Sequence, residues 1–152
     1  MKSKAFIGVT LGIIISCMMI VPARADEWNQ QTKLTFDQAV QIPGRILPAG
    51  TYWFVLAENL ADRDIVQIFS EDRTTEYATL YTTPTEQSNP PDQTLLTFAQ
   101  DESKGTPALV NWTYPGEMTG HEFIYSKSEE PKLLRAEQKT ITATPAGGTV
   151  GF

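Results

Sequence analysis

The stretch TYWFVL, residues 51–56, is the strongest strand signal in the chain. Each of its residues is β-branched, aromatic or leucine, and these side chains favour extended backbone. The apolar side chains do not alternate with polar ones, which is typical of a strand that is buried on both faces. A turn, Pro48-Ala49-Gly50, precedes the stretch, and the polar segment 57–64 follows it as a loop. We therefore predict a strand over residues 51–56 that is covered on both of its faces.

Further short strand candidates follow at regular spacing along the chain. Turns rich in Gly, Pro and charged residues separate them, and the loop 83–93 contains three prolines. Connections of 6–11 residues cannot hold a crossover helix, so we exclude parallel sheet and expect antiparallel pairing. The other candidates are residues 33–36, 39–42, 65–70, 77–82, 94–100, 108–114 and 121–125. This pattern predicts an all-β fold, a single antiparallel β-sandwich or small barrel of about 8–9 short strands.

The last 25 residues, 128–152, differ from the strand-rich part of the chain. Ser128 is a candidate N-cap for a short helix over residues 129–139, in which Pro131 would lie in the first turn. The segment TITATPAGGTVGF that follows has few apolar side chains to bury. We expect residues 26–127 to form the β-sandwich domain and residues 128–152 to form a short C-terminal helix or a flexible tail.

Residues 1–25 have the pattern of a signal peptide. A short basic start precedes a long apolar run, and the sequence PARA (22–25) supplies the small residues that a signal peptidase recognises. We therefore expect cleavage between Ala25 and Asp26, export to the periplasm or the extracellular space, and no integral membrane domain after cleavage. The alternative is a lipoprotein signal in which the chain is anchored through Cys17, although apolar residues continue beyond that cysteine.

The charge and cysteine content exclude several classes of function. The chain has a formal net charge of −6, and removal of residues 1–25 leaves 9 Lys and Arg against 18 Asp and Glu, with no cysteine. A chain without cysteine has no disulfide framework and no thiol chemistry. Net negative charge without a basic cluster argues against nucleic acid and anionic lipid as partners. The sequence has no phosphate-binding or dinucleotide-binding motif, and we expect no cofactor.

The single histidine, His121, has no visible catalytic partner. No G-x-S-x-G motif is present, and a metal site built on imidazole needs a second histidine or several converging carboxylates. His121 and Glu122 are adjacent on a candidate strand, so their side chains point to opposite faces and cannot hold one ion together. We therefore predict no catalytic residue and no metal ligand, and we interpret His121 as a hairpin residue at the edge of a strand.

The segment WTYPGEMTGHEFIYSK, residues 112–127, concentrates aromatic and polar side chains around a Pro-Gly turn. Exposed Trp and Tyr rings stack on sugars, but alternation puts Val110, Trp112 and Tyr114 on one apolar face, which normally faces the core. Core packing is therefore the first interpretation, and a carbohydrate site is the alternative. Trp53 is a further candidate for stacking on sugars. The candidate ligand-binding residues in this segment are Trp112, Tyr114, Glu117, His121 and Tyr125.

Four motifs carry a resemblance to a known family. They are LPAGTY (47–52), IVQIF (65–69), YATLYTTPTE (77–86) and WTYPGEMTGHEF (112–123). The chain resembles a family of exported, β-rich bacterial proteins of the acidobacterial type, which has no assigned activity. The resemblance covers about residues 32–127, departs from the family pattern at Thr113, and does not depend on His121. It implies an exported β protein and no particular chemistry.

Together these observations predict a non-catalytic β-sandwich module of the cell envelope or the secreted fraction. Its expected partner is a glycan or an envelope protein. One alternative is a hydrolase that acts on polysaccharide through carboxylates that the sequence does not identify. The other is an adhesin or assembly subunit that pairs through an exposed sheet edge.

Overall fold

The computed structural model describes residues 30–57, 64–100, 105–143 and 146–151, with the backbone alone at residues 146–148. The predicted signal peptide, its cleavage site between Ala25 and Asp26, and Cys17 lie outside these residues. Among the residues described, the one helix has four residues, and no helix is long and apolar enough to cross a bilayer.

The described residues form eleven strands and one short helix, so the all-β prediction is confirmed. The strands in the first half of the chain are β1 (Gln31–Phe36), β2 (Val40–Ile42), β3 (Arg45–Leu47), β4 (Gly50–Leu56), β5 (Ile65–Ser70) and β6 (Glu76–Glu86). The second half contributes β7 (Thr94–Gln100), β8 (Ala108–Thr113), β9 (Thr119–Phe123), α1 (Glu130–Leu133), β10 (Glu137–Ala143) and β11 (Ala146–Val150). The strand count exceeds the predicted eight or nine because β3, β10 and β11 were not expected.

The strands follow one curled path in the order β10-β7-β8-β9-β6-β5-β4-β1-β11. Off this path, β2 pairs with β8, and β3 pairs with β2. The long strand β6 joins the two halves of this path, because its first part pairs with β5 and its second part, from Thr82 to Glu86, pairs with β9. Strands β10 and β11 lie at opposite ends of the path but are only two residues apart in sequence. The sheet therefore curls into a half-barrel that encloses one core.

The core consists of the inward-facing side chains of both halves of the sheet. In β4 these are Tyr52, Phe54 and Leu56, which alternate with less buried neighbours. The Phe36 ring packs edge-on against Phe54 at 6.1 Å and against Phe98 of β7 at 6.3 Å between ring centroids. These contacts join β1 and β4 to the opposite half of the sheet, and such edge-on aromatic pairs add to the stabilisation from burial.

Strand β4 differs from the prediction on its outer face. Trp53 and Val55 point away from the core and are only half-buried. The expectation that this strand is buried on both faces is therefore wrong. A continuous apolar run predicts burial on both sides, but the outer face of β4 is covered only in part, and it leaves an apolar patch at the surface.

The C-terminal segment also differs from the prediction. The helix expected over residues 129–139 is confined to Glu130–Leu133, and the residues expected to be a flexible tail form strands β10 and β11. Strand β10 pairs antiparallel with β7, and β11 pairs parallel with β1 and buries Val150 completely. An edge strand needs apolar residues on one face only, so a few residues such as Ala143 and Val150 are sufficient.

The parallel pairings correct the exclusion of parallel sheet. Strand β1 pairs parallel with β11, and β2 meets β8 in a parallel bridge between Gln41 and Ala108. The argument from short connections applies to strands that follow one another in the chain. It does not apply to the first and last strands, which the whole fold connects.

A bulge in β8 shifts the face on which its side chains lie. Leu109 pairs with Phe98 and Asn111 pairs with Thr97, so Val110 is the extra residue. Leu109 and Trp112 consequently both face the core, while Val110 is half-buried on the outer side. The predicted grouping of Val110 with Trp112 on one face is therefore wrong.

Candidate functional site

Trp112 is a core residue. Its side chain is fully buried, and the indole Nε1 donates a hydrogen bond to Thr32 Oγ1 at 3.2 Å. Its ring lies 6.4 Å from the Phe54 ring between centroids. In this position the indole joins β8 to β1 and β4 across the core, and it has no surface on which a sugar could stack.

His121 is buried beside Trp112 rather than exposed at a strand edge. Its ring lies 5.6 Å from the Trp112 ring, and Nδ1 is 3.4 Å from Thr82 Oγ1. Burial lowers the pKa of His121, and the negative charge of Asp64 opposes that shift. Glu122, the next residue, is exposed, as expected for neighbours that point to opposite faces of a strand.

The remaining residues predicted in this segment are also separated by the fold. Tyr125 is buried, and its hydroxyl donates to Leu109 O at 2.8 Å, with Gln41 O a further acceptor at 3.1 Å. Tyr114 is buried as well, and burial, followed by the charge of Glu117, raises its pKa. Of the five predicted residues, four belong to the core, and only Glu117 lies in the surface turn.

The outer face of β1, β4 and β5 presents a different set of side chains. The strand register puts Trp53 between Lys33 on β1 and Phe69 on β5. In the next row, Val55 lies between Gln31 and Gln67. All of these side chains are half-buried. This face therefore combines two aromatic rings and a valine with two amides and a cation.

Several contacts hold Trp53 in place on this face. Its indole Nε1 donates to Glu71 O at 3.0 Å. The Arg73 guanidinium lies over the indole ring, 3.9 Å from its centroid, and Lys33 Nζ lies 6.0 Å from the same centroid. Lys33 also forms a salt bridge with Glu71 at 2.8 Å. These contacts hold the Trp53 ring in one orientation on the surface of the sheet.

Arg73 reaches this position because of the turn between β5 and β6. It has φ = 58°, a left-handed conformation that is uncommon for a residue other than glycine. Asp72 Oδ1 fixes the turn, since it accepts hydrogen bonds from Ser70 Oγ at 2.6 Å, Thr74 Oγ1 at 2.8 Å and Thr74 N–H at 3.1 Å. These bonds, the one from Ser70 foremost, lower the pKa of Asp72. The turn therefore directs Arg73 back over the sheet.

A cleft opens beside Arg73. It has a volume of about 320 Å³ and is lined by Val55, Leu56, Gln67, Phe69 and Arg73. The Arg73 guanidinium also donates to Gln31 Oε1 at the side of the cleft. An apolar floor with a few polar groups at the rim is the usual composition of a site for a small ligand, and this volume is at the lower end of the range for such sites. We refer to these five lining residues as the Arg73 cleft.

A second concavity lies on the outer face of the other half of the sheet, next to α1. This groove has a volume of about 280 Å³. Its polar side chains include Glu122 and Glu130, and its apolar side chains include Val110, Ile124 and Leu134. Ile124 and Leu134 are exposed, and two carboxylates therefore line one partly apolar groove.

The sequence pointed to Trp53 as a stacking candidate but missed Gln67, Phe69 and Arg73. Alternation along β4 could have shown that Trp53 and Val55 share a face opposite to Phe54, and the same rule applied to β5 would have added Phe69. The left-handed conformation of Arg73 has no sequence signal, because arginine seldom adopts it. Within the described ranges, no three His, Cys, Asp or Glu residues are close enough together to hold a metal ion.

Comparison of the chain with protein-family models, with curated proteins and with solved structures finds no match.

Proposed function

We propose that the protein is an exported, non-catalytic β-sandwich module of the cell envelope or the secreted fraction, which binds carbohydrate in the Arg73 cleft. One observation carries the proposal: the apolar side chains of β4 and β5 that include Trp53 and Phe69 lie on the outer face of the sheet, next to a cleft. Apolar side chains that remain at the surface beside convergent polar groups are typical of a binding site. The signal-peptide pattern of residues 1–25 supports export.

The chemistry of the cleft suits a sugar. Phe69 and Val55 offer an apolar surface for the C–H face of a sugar ring, while Gln67 offers an amide group that both donates and accepts hydrogen bonds. Trp53 is not one of the five lining residues, but it supports the cleft indirectly, because the Arg73 guanidinium lies over its ring. A cleft of about 320 Å³ is large enough for one or two sugar rings, but it is too small for a secondary-structure element of a partner protein.

Binding without catalysis is favoured by the residues that line the cleft. Hydrolysis of a glycosidic bond normally requires two carboxyl groups, about 5–9.5 Å apart, on either side of that bond. The five described residues of the Arg73 cleft include no carboxylate. None of these five lining residues could therefore act as the acid or the base of such a reaction.

A glycan array probed with the purified protein tests this proposal. We expect binding to at least one class of glycan, and we expect Phe69→Ala to abolish it. Tyr81→Ala is the matched control, because Tyr81 is an exposed aromatic residue on the same sheet that does not line the cleft. No binding to any glycan, or equal loss in both variants, would refute the proposal.

Hydrolysis of polysaccharide is the second candidate, and the groove beside α1 favours it. Glu122 and Glu130 line that groove together, which is the kind of pairing that glycoside hydrolysis uses. The test is the release of reducing ends from the glycans bound in the array. Release by the original protein that is lost in both Glu122→Gln and Glu130→Gln would establish this candidate. If the original protein releases no reducing ends from any of the glycans, hydrolysis of those glycans is excluded.

A further inference from the structure

We propose that Arg73 recognises a carboxylate on the glycan, so that the cleft selects an acidic sugar over its neutral counterpart. This inference rests on the proposed function, since it assumes that a sugar occupies the Arg73 cleft. It assigns the ligand a chemical class, a saccharide that carries a uronate or a similar carboxylate.

The orientation of the Arg73 guanidinium is the first argument. The group lies over the Trp53 ring at 3.9 Å and donates to Gln31 Oε1, and these two contacts orient its plane. A guanidinium has five N–H donors, of which this arrangement uses a part. A fixed planar group of this kind is suited to bind a carboxylate through two parallel hydrogen bonds.

The charge balance around the cleft is the second argument. Lys33 is neutralised by Glu71 at 2.8 Å, whereas Asp72 accepts hydrogen bonds from Ser70 and Thr74, which are neutral and leave its negative charge in place. Among the residues that the structure describes, Arg73 has no carboxylate within 4 Å. In the described part of the chain, the Arg73 guanidinium thus contacts an amide oxygen and an aromatic face but no carboxylate, and a ligand carboxylate could pair with it directly.

The position of Arg73 relative to the floor of the cleft is the third argument. Phe69 and Val55 form an apolar floor, and Arg73 lines the same cleft. Arg73 is exposed in the free protein, and a sugar ring that covered it would lower the local dielectric constant and so strengthen a charged hydrogen bond. A sugar ring seated on Phe69 would carry its substituents towards the rim, where the guanidinium is held.

The net charge of the chain limits the kind of acidic glycan that fits. The protein has a formal net charge of −6, and Glu71 and Asp72 directly precede Arg73 in the sequence. A polymer with a carboxylate on every residue would be repelled by this surface. The structure therefore favours a glycan in which isolated acidic sugars are separated by neutral ones.

The test uses pairs of glycans that differ only in the carboxyl group. Each acidic glycan that the array identifies is titrated beside the same glycan after reduction of its carboxyl group to an alcohol, and a xylotetraose with one glucuronate is included as a defined probe. We expect the acidic member of a pair to bind at least about tenfold more tightly, because one pair of charge-assisted hydrogen bonds contributes about this much to the affinity. Arg73→Gln should remove this difference, and Arg73→Lys should keep part of it.

Arg45→Gln is the matched control. Arg45 also lies over an aromatic ring, at 5.9 Å from the Tyr77 centroid, and its loss lowers the net charge equally, but it does not line the cleft. This variant should keep the preference for the acidic glycan. The inference is overturned if both members of each pair bind equally, if Arg45→Gln weakens the preference as much as Arg73→Gln, or if Arg73→Gln lowers stability without changing binding. Equal binding of both members would leave the proposed function standing, whereas no binding of any glycan would refute both.

Discussion

The Trp112 indole nitrogen donates a hydrogen bond to Thr32 Oγ1 at 3.2 Å across the core. Thr32 lies on β1 and Trp112 on β8, so the bond joins the two halves of the curled sheet. Both side chains are completely buried, and Thr94 Oγ1 lies 3.4 Å from Thr32 Oγ1. Buried polar groups require such partners, which explains why Thr32 and Thr94 lie beside the Trp112 indole in the interior.

Replacement of Thr32 with valine should therefore destabilise the protein. The variant keeps the shape of the side chain but leaves the indole N–H of Trp112 without an acceptor, at a cost of about 1–3 kcal/mol in the free energy of unfolding. Urea denaturation followed by fluorescence measures this change. Thr35→Val is the control on the same strand, since Thr35 is only half-buried and bonds to Thr51 on the outer face. Equal changes in the two variants would contradict the role assigned to Thr32.

The stability of the protein should fall below about pH 6.5 because of His121. Burial lowers the pKa of the folded-state imidazole, so the unfolded chain takes up a proton at a pH where the folded chain does not. The stabilisation from neutral His121 is thus complete above the pKa of the unfolded state and is lost as the pH decreases through and below it. The measurement is the urea midpoint between pH 5 and 8.

His121→Gln isolates this effect, because other acidic groups titrate in the same way in both proteins. The pH dependence of the variant should be flatter than that of the original chain over this interval. If the two proteins lose stability in parallel as the pH decreases, His121 does not have the lowered pKa that its burial implies.

Gly120 should not tolerate alanine. A Cβ atom at this position would lie 2.5 Å from Thr113 Oγ1, 2.7 Å from Thr85 Oγ1 and 2.9 Å from Asn111 Oδ1. These side chains belong to a hydrogen-bonded cluster, in which Asn111 donates to Thr85 at 2.7 Å and Thr113 donates to Asn111 at 3.1 Å. We expect Gly120→Ala to lower the melting temperature, with a cost of about 1–3 kcal/mol from crowding.

Gly105→Ala is the control for this prediction, because a Cβ atom there would have no neighbour within 4 Å. It should leave the melting temperature nearly unchanged. A similar melting temperature for the two alanine variants would show that the cluster over Gly120 is not packed as described.

The C-terminal strand should contribute to the stability of the whole protein. Val150 is completely buried in β11, whereas its neighbour Thr149 is exposed. Val150→Asp would bury an unpaired carboxylate and should destabilise the fold strongly, by several kcal/mol. Thr149→Asp should change the free energy of unfolding by about 0.5 kcal/mol or less. Two variants of equal stability would support a flexible tail instead of a strand.

Local sequence patterns predicted the strands well where one face of a strand packs against the core. The turn residues and the β-branched and aromatic runs located β4, β5, β7 and β9, and the core position of Trp112 follows from its place on an apolar face. Alternation failed in β8, because the bulge at Val110 is a property of the pairing with β7 and not of the local sequence.

Contacts between distant parts of the chain were not predictable in this way. The pairing of β11 with β1 joins the two ends of the described chain, and a weakly apolar segment gives no sign of its partner. The Arg73 cleft depends on a turn conformation that arginine rarely adopts and on side chains from β4 and β5. Sequence patterns therefore indicated Trp53 as a candidate without revealing the cleft beside it.

The central claim is that a glycan binds in the Arg73 cleft, and a nuclear magnetic resonance titration tests it most directly. The best-binding glycan from the array is added to the ¹⁵N-labelled protein, and the backbone and indole N–H signals are followed. We predict that the largest shifts occur at Val55, Gln67, Phe69 and Arg73 and at the indole of Trp53, while the indole of buried Trp112 stays unchanged. Shifts that cluster instead around Val110 and Leu134, or no shifts at all, would contradict the claim.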